Sequence, residues 1–445
     1  MINIEPHRCA YCGGCVSVCP VEALYLAETR LEVSEACIEC GDCVSACPVG
    51  ALSLAQAGQF RHSPPNRRQY DLVVVGAGPG GSTAAQVAAQ AGLSVLLLEK
   101  RQEIGSPVRC AEGVGGEQLA AFIEPDSRWI AAEVRRSEIT TYANGERKTL
   151  RIEGGLGYVL ERRIFDRCLA ELACHAGAEV RVKTPVTGLL KENGRVCGVK
   201  IQDGDFLSAR GELEVAARMV IAADGVESQV GRWAGLPLQL PLEDTMVCAQ
   251  YLLAGIEIDP ACNLFMIGPD LAPGGYAWVF PKGENKANVG LGVQANLWEQ
   301  AAGKLAPKGE ATVLGYLTRF IEAHRFLEQG APVTLVAGNV PVGASSTRVV
   351  VDGLMVVGDA ARQVDPLTGG GIINAMTAGK IAAIAAVEAV AAGDSTAAFL
   401  SRYEAAWQQA GGRKNQRNYR LRMKFSPEQR VDERFVRTFA LAAGG

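Results

Sequence analysis

Eight cysteines in the first 47 residues form two copies of one pattern, Cys9-x-x-Cys12-x-x-Cys15-x-x-x-Cys19-Pro20 and Cys37-x-x-Cys40-x-x-Cys43-x-x-x-Cys47-Pro48, set 28 residues apart. Thiolates this closely spaced grip one cuboidal iron–sulfur cluster at three corners. The fourth cysteine of each copy, carried away by its proline, reaches the other cluster. Cys9, Cys12, Cys15 and Cys47 are therefore expected to hold one 4Fe-4S cluster, and Cys37, Cys40, Cys43 and Cys19 a second. A zinc ribbon or a disulfide framework has no use for the third close cysteine in each copy. The first chemistry this sequence implies is electron transfer.

A second constellation follows. Gly76-Ala77-Gly78-Pro79-Gly80-Gly81 comes directly after the apolar run Leu72–Val75 and opens an Ala-rich stretch, Gly80–Ala91, that Gly92 ends. A second apolar run, 95–98, ends at Glu99. Strand, glycine turn, helix, strand and acid in this order make a dinucleotide cradle: Gly76, Gly78 and Gly81 bring backbone N–H groups and a helix N-terminus to a pyrophosphate, and Glu99 accepts from ribose hydroxyls. Far downstream, Gly358-Asp359-Ala360-Ala361 and Asp365-Pro366-Leu367-Thr368-Gly369-Gly370-Gly371-Ile372 supply what an NAD site does not need, an Asp at a strand end and a Gly-rich loop at a helix start. An extended FAD has to be held at both ends, so FAD is the expected nucleotide, with backbone amides at the helix start positioned for the anionic reduced flavin. Ala223-Asp224-Gly225-Val226-Glu227-Ser228 resembles the Asp-Gly fingerprint of flavoprotein hydroxylases, which adds Asp224 to the expected cofactor contacts.

The elements that must position these groups can be read coarsely. The chain has 445 residues, 48% hydrophobic and 21% charged, ordinary for a globular protein of about three domain-sized units. Its 51 glycines carry no three-residue period. The expected class is α/β with α+β. A small two-cluster ferredoxin domain (1–57) and a linker (58–69) precede a Rossmann-type FAD domain in segments 70–115, 155–235 and 345–392. An antiparallel-sheet substrate domain is inserted as 116–154 and 236–344, and a helical segment, 393–445, closes the chain. Helices are expected over 162–176 and 373–392, and strands over 219–222 and 354–357. No run of eighteen apolar residues occurs and the start lacks a basic, apolar leader, so neither a secretory signal nor a membrane span is expected, and the protein reads as cytoplasmic. Cys110, Cys168, Cys174, Cys197, Cys248 and Cys262 show no pairing pattern, as in a reducing compartment.

The net charge of −4 is unevenly spread. Residues 1–58 carry two basic side chains against seven acidic ones, and residues 411–437 nine basic against three acidic. The basic segment suits a peripheral contact with anionic lipid head groups, an acidic partner, or a plain solvated helix face. Nothing points to nucleic acid.

From Tyr70 to Ala392 the sequence resembles the geranylgeranyl reductase family of flavoproteins, especially its archaeal digeranylgeranylglycerophospholipid reductase branch. The resemblance rests on the stretch from Arg101 through Gly105-Ser106-Pro107-Val108-Arg109-Cys110-Ala111-Glu112-Gly113, on Arg162-x-x-Phe165-Asp166, on Asp224-Gly225, on Tyr276-x-Trp278-x-Phe280-Pro281, and on Gly358-Asp359 with its Gly-rich loop. It implies a hydroxylase-like FAD fold, a substrate sheet and hydrogenation of isoprenoid double bonds. It also implies FAD contacts from Gly81, Glu99, Arg109, Cys110, Gly113, Arg162, Asp359, Gly371 and Ile372, with Gly370 beside them. Tyr276, Trp278 and Phe280 alternate, so one strand face would wall a greasy tunnel. The cysteine module and the short C-terminal segment depart from the family pattern, and a missing helix there is expected to open the tunnel.

An isolated alkene has no carbonyl to take up charge, so its reduction needs a strongly reducing flavin and a proton source. The expectation is that a low-potential carrier such as a ferredoxin feeds the clusters and that the substrate is an isoprenoid lipid or prenyl diphosphate. Cys110 would tune the flavin or donate the proton, with Glu112 beside it. A quinone-linked electron-transfer flavoprotein would use the same motifs. A non-catalytic redox module would leave the FAD signature idle, and oxygen-labile clusters argue against an oxygen-using hydroxylase.

Overall fold

The computed structural model describes residues 2–54, 69–202, 212–297, 312–346 and 348–443. The expected linker therefore lies outside the described residues except for Gln69, which opens a strand.

In the N-terminal module β1 (Ile2–Ile4) pairs antiparallel with β4 (Leu52–Leu54), closing the ends on each other, while β2 (Leu24–Ala27) and β3 (Arg30–Val33) form a hairpin. Each copy of the cysteine pattern contributes one short helix, Gly14–Ser17 and Asp42–Ser45. These start at Gly13 and Gly41, both left-handed with φ 75° and 85°. The sequence repeat is thus a structural repeat.

The next sheet has a parallel centre of buried apolar strands, as expected where both faces are covered. β5 (Gln69–Val75) pairs parallel with β6 (Val95–Leu98) and with β13 (Glu212–Ala222), and β13 pairs parallel with β20 (Leu354–Val356). From β13 the sheet is extended antiparallel by β12 (Arg195–Gln202) and β11 (Val186–Glu192). The helix Pro79–Gln90 packs on the helix Ile372–Ala392 so closely that a Cβ on Gly379 would stand 2.1 Å from the Gly80 carbonyl oxygen. Ile372–Ala392 has a mean hydropathy of 1.5 and the length to cross a bilayer, but half of it is buried, with Ala378, Ala382, Ala383 and Ala386 fully enclosed in the core. Its composition is accounted for by that burial.

The second large sheet runs β18-β14-β17-β16-β15-β8-β9-β7. Its strands are β7 (Gly113–Gly115), β8 (Ile130–Ala143), β9 (Glu146–Leu160), β14 (Thr245–Ala254), β15 (Cys262–Ile267), β16 (Tyr276–Pro281), β17 (Lys286–Gln294) and β18 (Ala331–Pro341). The expectation of an antiparallel sheet needs one correction: β8 and β15 pair parallel, because they arrive from separate chain segments and no hairpin sets their sense. β9 also runs unbroken past residue 155 to Leu160, where the helix Arg162–His175 takes over, so sheet and nucleotide fold meet in one continuous element.

At the C-terminal end, helices Ala397–Trp407 and Arg413–Lys424 are joined by a π-helical turn, Gln408–Gly412, and the helix Glu433–Ala443 follows. This last helix buries Phe435, Val436, Phe439 and Ala440 against the second sheet. Phe439 stacks edge-on against both Phe265 and Tyr276, at 5.5 and 5.1 Å between ring centroids, and extends the aromatic wall at that end.

The module sits on the nucleotide domain through the loop after β10 (Glu179–Arg181). Lys183 donates from Nζ to the Cys9 carbonyl at 2.7 Å and covers the Tyr11 ring, while its backbone N–H reaches the Arg101 carbonyl and Thr184 N–H the Glu99 carbonyl. Gln202 Nε2 meets His7 Nδ1 at 3.2 Å.

Candidate active site

One cavity of about 910 Å³ runs from the glycine turn after β5 to the aromatic face of β16. Its lining includes Gly76, Gly78, Glu99, Arg109, Cys110, Glu112, Gly113, Arg162, Asp224, Tyr276, Trp278, Phe280, Asp359, Gly370, Gly371 and Ile372. All the residues expected to touch nucleotide or substrate therefore share one space, with one exception. Gly81 stands a step inside its helix, where a Cβ would fall 1.9 Å from the Gly76 carbonyl oxygen, so it packs helix on strand rather than facing the cavity.

At the turn, Glu99 Oε2 accepts from the Ala77 N–H and Oε1 from the Arg101 N–H, which fixes the carboxylate beside the cleft. Gly78 has ordinary extended backbone, and a Cβ there would meet no protein atom within 4 Å. Nothing in the fold requires glycine at 78, and its bare backbone leaves room for a ligand to lie against the turn. Gly78→Ala should leave apoprotein stability unchanged and weaken FAD binding by about tenfold to a hundredfold, the cost of forcing a methyl into a close contact, as read by flavin fluorescence titration.

Asp224 caps the turn after β13 by accepting at Oδ2 from the Gln229 and Val230 N–H groups, while its buried Oδ1 has no partner. Glu227 in the same turn gathers Lys100 and Arg109 into ion pairs, with Arg101 at 3.8 Å. Lys100 and Arg109 hold the Glu227 carboxyl down to about 2. Because the folded value lies below the ordinary 4.5, this lock contributes fully above that pH and is lost as pH falls toward about 2. FAD release on acidification should show a step in this window that Glu227→Gln lacks, having already lost the lock at neutral pH.

At the other end, Arg162 grips Asp166 through two hydrogen bonds of 2.7 and 2.8 Å and lies close enough to the half-buried Asp359 to oppose the upward push of desolvation on that carboxyl. Cys110 Sγ accepts from the Glu112 N–H at 3.2 Å. Burial pushes the Cys110 thiol up, with Arg162 opposing, so the sulfur keeps its proton. Glu112 is only 4% exposed. Its carboxylate accepts from the Arg162 N–H at 2.8 Å, from Asn288 Nδ2 at 2.7 Å and pairs with Lys282 Nζ at 2.9 Å. With these three donors Glu112, the second residue expected in the catalysis, also anchors the Cys110 loop.

Trp278 Nε1 donates to Gln250 Oε1 at 2.8 Å, and Gln250 Nε2 to the Cys110 carbonyl at 3.2 Å, tying the aromatic strand to the cysteine loop. The Tyr276 hydroxyl donates to the Thr368 carbonyl of the Gly-rich loop. Phe265 on β15 stacks on both Tyr276 and Phe280. Phe265, Gln250, Lys282 and Asn288 escaped the sequence reading; Phe439 was findable, since Phe435, Val436, Phe439 and Ala440 repeat at helical spacing.

These residues fit an extended FAD. An unpartnered buried Asp224 oxygen, an open Gly78 and a Gly-rich helix start line one continuous space. In the module, Cys9, Cys12, Cys15 and Cys47 surround one small void, and the N–H groups of Tyr11, Ala23 and Ala51 point at the sulfurs of Cys9, Cys19 and Cys47 at 3.4, 3.2 and 3.2 Å. Among the described residues no three His, Cys, Asp or Glu side chains converge as a single metal ion requires. A cuboidal cluster does not ask this, because each sulfur binds a different iron.

Three family models match the chain: a 4Fe-4S dicluster domain over residues 1–48, an FAD dependent oxidoreductase over 71–272 and a geranylgeranyl reductase catalytic domain over 244–340. The digeranylgeranylglycerophospholipid reductase of Methanosarcina acetivorans is 51% identical over 347 residues, 77% of this chain and 81% of the relative. That of Methanocella arvoryzae is 48% identical over 360 residues, 80% and 87%. A geranylgeranyl bacteriochlorophyll reductase-like protein of Thermoplasma acidophilum superposes with a TM-score of 0.75 at 41% identity, covering 84% of this chain and 94% of that one. A myxobacterial chondrochloren halogenase, at 22% identity and a TM-score of 0.65, shares the fold alone. With the cavity, its two ends and these relatives in agreement, the chain belongs to the geranylgeranyl reductase family of flavoproteins.

Proposed function

We propose that the protein hydrogenates carbon–carbon double bonds of a geranylgeranyl-type isoprenoid lipid, drawing electrons through its iron–sulfur module. The observation that carries this reading is the single cavity joining a dinucleotide cradle to a wall of Tyr276, Trp278, Phe280, Phe265 and Phe439, in a chain whose cysteine module seats on the nucleotide domain. When bound, FAD supplies the hydride and the clusters supply electrons one at a time. Two 4Fe-4S clusters are the count the repeat supports, held by Cys9, Cys12, Cys15 and Cys47 and by Cys37, Cys40, Cys43 and Cys19. The cradle residues Gly76, Gly78, Glu99, Arg109, Asp224, Asp359, Gly370 and Gly371 orient the nucleotide, and the aromatic wall excludes water and aligns the prenyl chain. Cys110 holds its proton at Sγ beside that wall and is assigned as the proton donor. Glu112, through Arg162 N–H, Asn288 and Lys282, keeps the Cys110 loop in place. A cytoplasmic location with peripheral contact at anionic lipid suits the basic C-terminal segment.

The test is anaerobic. Reduced ferredoxin, protein and a geranylgeranyl lipid should give flavin reoxidation and a product heavier by one dihydrogen per double bond. Reoxidation by a short-chain quinone, with the prenyl compound unchanged, would transfer the assignment to a quinone-linked flavoprotein. Cys110→Ala should retain FAD and KM and lose about 10²–10⁴ in kcat, the usual weight of general acid catalysis; a kcat near that of the native protein would remove the thiol from the chemistry.

A further inference from the structure

Arg422 and Arg430, on the C-terminal segment, line the active-site cavity beside the chain that leads into β16, and are only 3% and 6% exposed. Arg422 donates to the Val342 carbonyl at 2.9 Å, to Gln294 Oε1 at 2.8 Å and to Met246 Sδ at 3.7 Å. Arg430 donates to the Gly274 carbonyl, to the same Gln294 Oε1 at 3.2 Å and to the Arg422 carbonyl at 3.5 Å, and its buried Nε has no acceptor. Every acceptor is neutral. Two carboxylates act from further off, Asp244 on Arg422 and Glu428 on Arg430; Asp244 is engaged by the Tyr419 hydroxyl and Glu428 by the Ser426 hydroxyl. Burial draws Arg422 down to about 10 and Arg430 to about 9, so both remain cationic at neutral pH.

Two buried like charges sharing one amide oxygen are an expensive way to tie loops together, because charge is tolerated in a protein interior only when paired. An anion entering the cavity would complete the arrangement, and guanidinium forks suit phosphate oxygens. Gly274, bonded to Arg430, lies two residues before Tyr276, and the aromatic face then continues through Trp278 to Phe280, about 20 Å of strand in all. We propose that Arg422 and Arg430 form an anion subsite that takes the phosphate group of an isoprenoid phosphate ester, whose prenyl chain lies along β16. The proposal rests on the prenyl-reductase reading above. Anchoring the phosphate at Gly274 would fix which double bonds stand beside Cys110, which Gln250 ties to Trp278.

The experiment uses the FAD-loaded protein and its Arg430→Gln and Arg430→Lys variants under anaerobic conditions. Geranylgeranyl diphosphate, digeranylgeranylglyceryl phosphate and uncharged geranylgeraniol are compared as substrates. KM for one or both phosphates should rise about tenfold to a hundredfold in Arg430→Gln and less in Arg430→Lys, with geranylgeraniol unaffected; the phosphate that responds identifies whether a free diphosphate or a lipid head group is the natural source. Equal losses on all three compounds would show a purely structural pair and overturn the proposal. Inorganic pyrophosphate should quench tryptophan fluorescence of the oxidised native protein, and Arg430→Lys should weaken that response. Should Arg430→Gln not fold, this binding measurement decides alone, and no response would overturn the subsite. If the native protein reduces none of the three compounds, the reductase reading fails, while pyrophosphate binding still reports on the subsite separately.

Discussion

Cys47→Ser should strip about half of the iron and abolish turnover driven by reduced ferredoxin, while leaving FAD bound. Although Cys47 belongs to the second copy of the pattern, it lines the void of Cys9, Cys12 and Cys15. That void lies on the side of the module that Lys183 holds against the nucleotide domain through the Cys9 carbonyl. In the proposed relay the cluster expected there is the last station before the flavin. A donor could still charge the cluster at Cys37, Cys40, Cys43 and Cys19, but those electrons would have no onward path. Photochemical reduction of the flavin should restore prenyl reduction in the variant. Iron analysis with electron paramagnetic resonance and the two turnover assays checks this, and ferredoxin-driven activity that survives loss of the cluster would dismiss the relay.

Glu112→Ala should cost about 3–5 kcal/mol, the usual penalty for removing one partner of a buried ion pair. Lys282 is 6% exposed and would keep only Glu161, at 2.9 Å, and the Leu160 carbonyl. The substitution also frees the Asn288 amide and the Arg162 N–H, so three elements lose a common anchor: β17, the start of the helix Arg162–His175 and the Cys110 loop. Glu112→Gln, which keeps an acceptor for Arg162, should lie between the two. Urea unfolding together with FAD retention measures both variants. A change below 1 kcal/mol would mean that Lys282 is held well enough by Glu161 alone.

How far the sequence could be read depended on whether chemistry was written locally. The cysteine repeat, the glycine turn with Glu99, and the alternation of Tyr276, Trp278 and Phe280 are short patterns whose geometry follows from backbone periods of fixed length, and the structure places them as those periods demand. Glu112 shows the opposite case. Two residues from Cys110 it reads as a catalytic candidate, and its bonds to Lys282 and Asn288, some 170 residues away in sequence, have no local signature. Arg422 and Arg430 read as part of a basic segment suited to anionic lipid, an acidic partner or solvent, and it is the packing of that segment over Gln294 and Gly274 that buries them. The parallel pairing of β8 with β15 likewise has no local signature, since no turn connects the two strands.

The seat of the module has a thermodynamic corollary. Lys183, which holds Cys9 from outside, and its neighbour Thr184 are hydrogen-bonded through their backbone to Arg101 and Glu99, which line the cleft. Occupancy of the cleft and docking of the module therefore order the same short segment, and linkage makes the effect mutual: any factor by which bound nucleotide tightens the module is returned as tighter retention of nucleotide. With such a coupling, a polypeptide that lost its flavin would also hold its own electron supply less tightly.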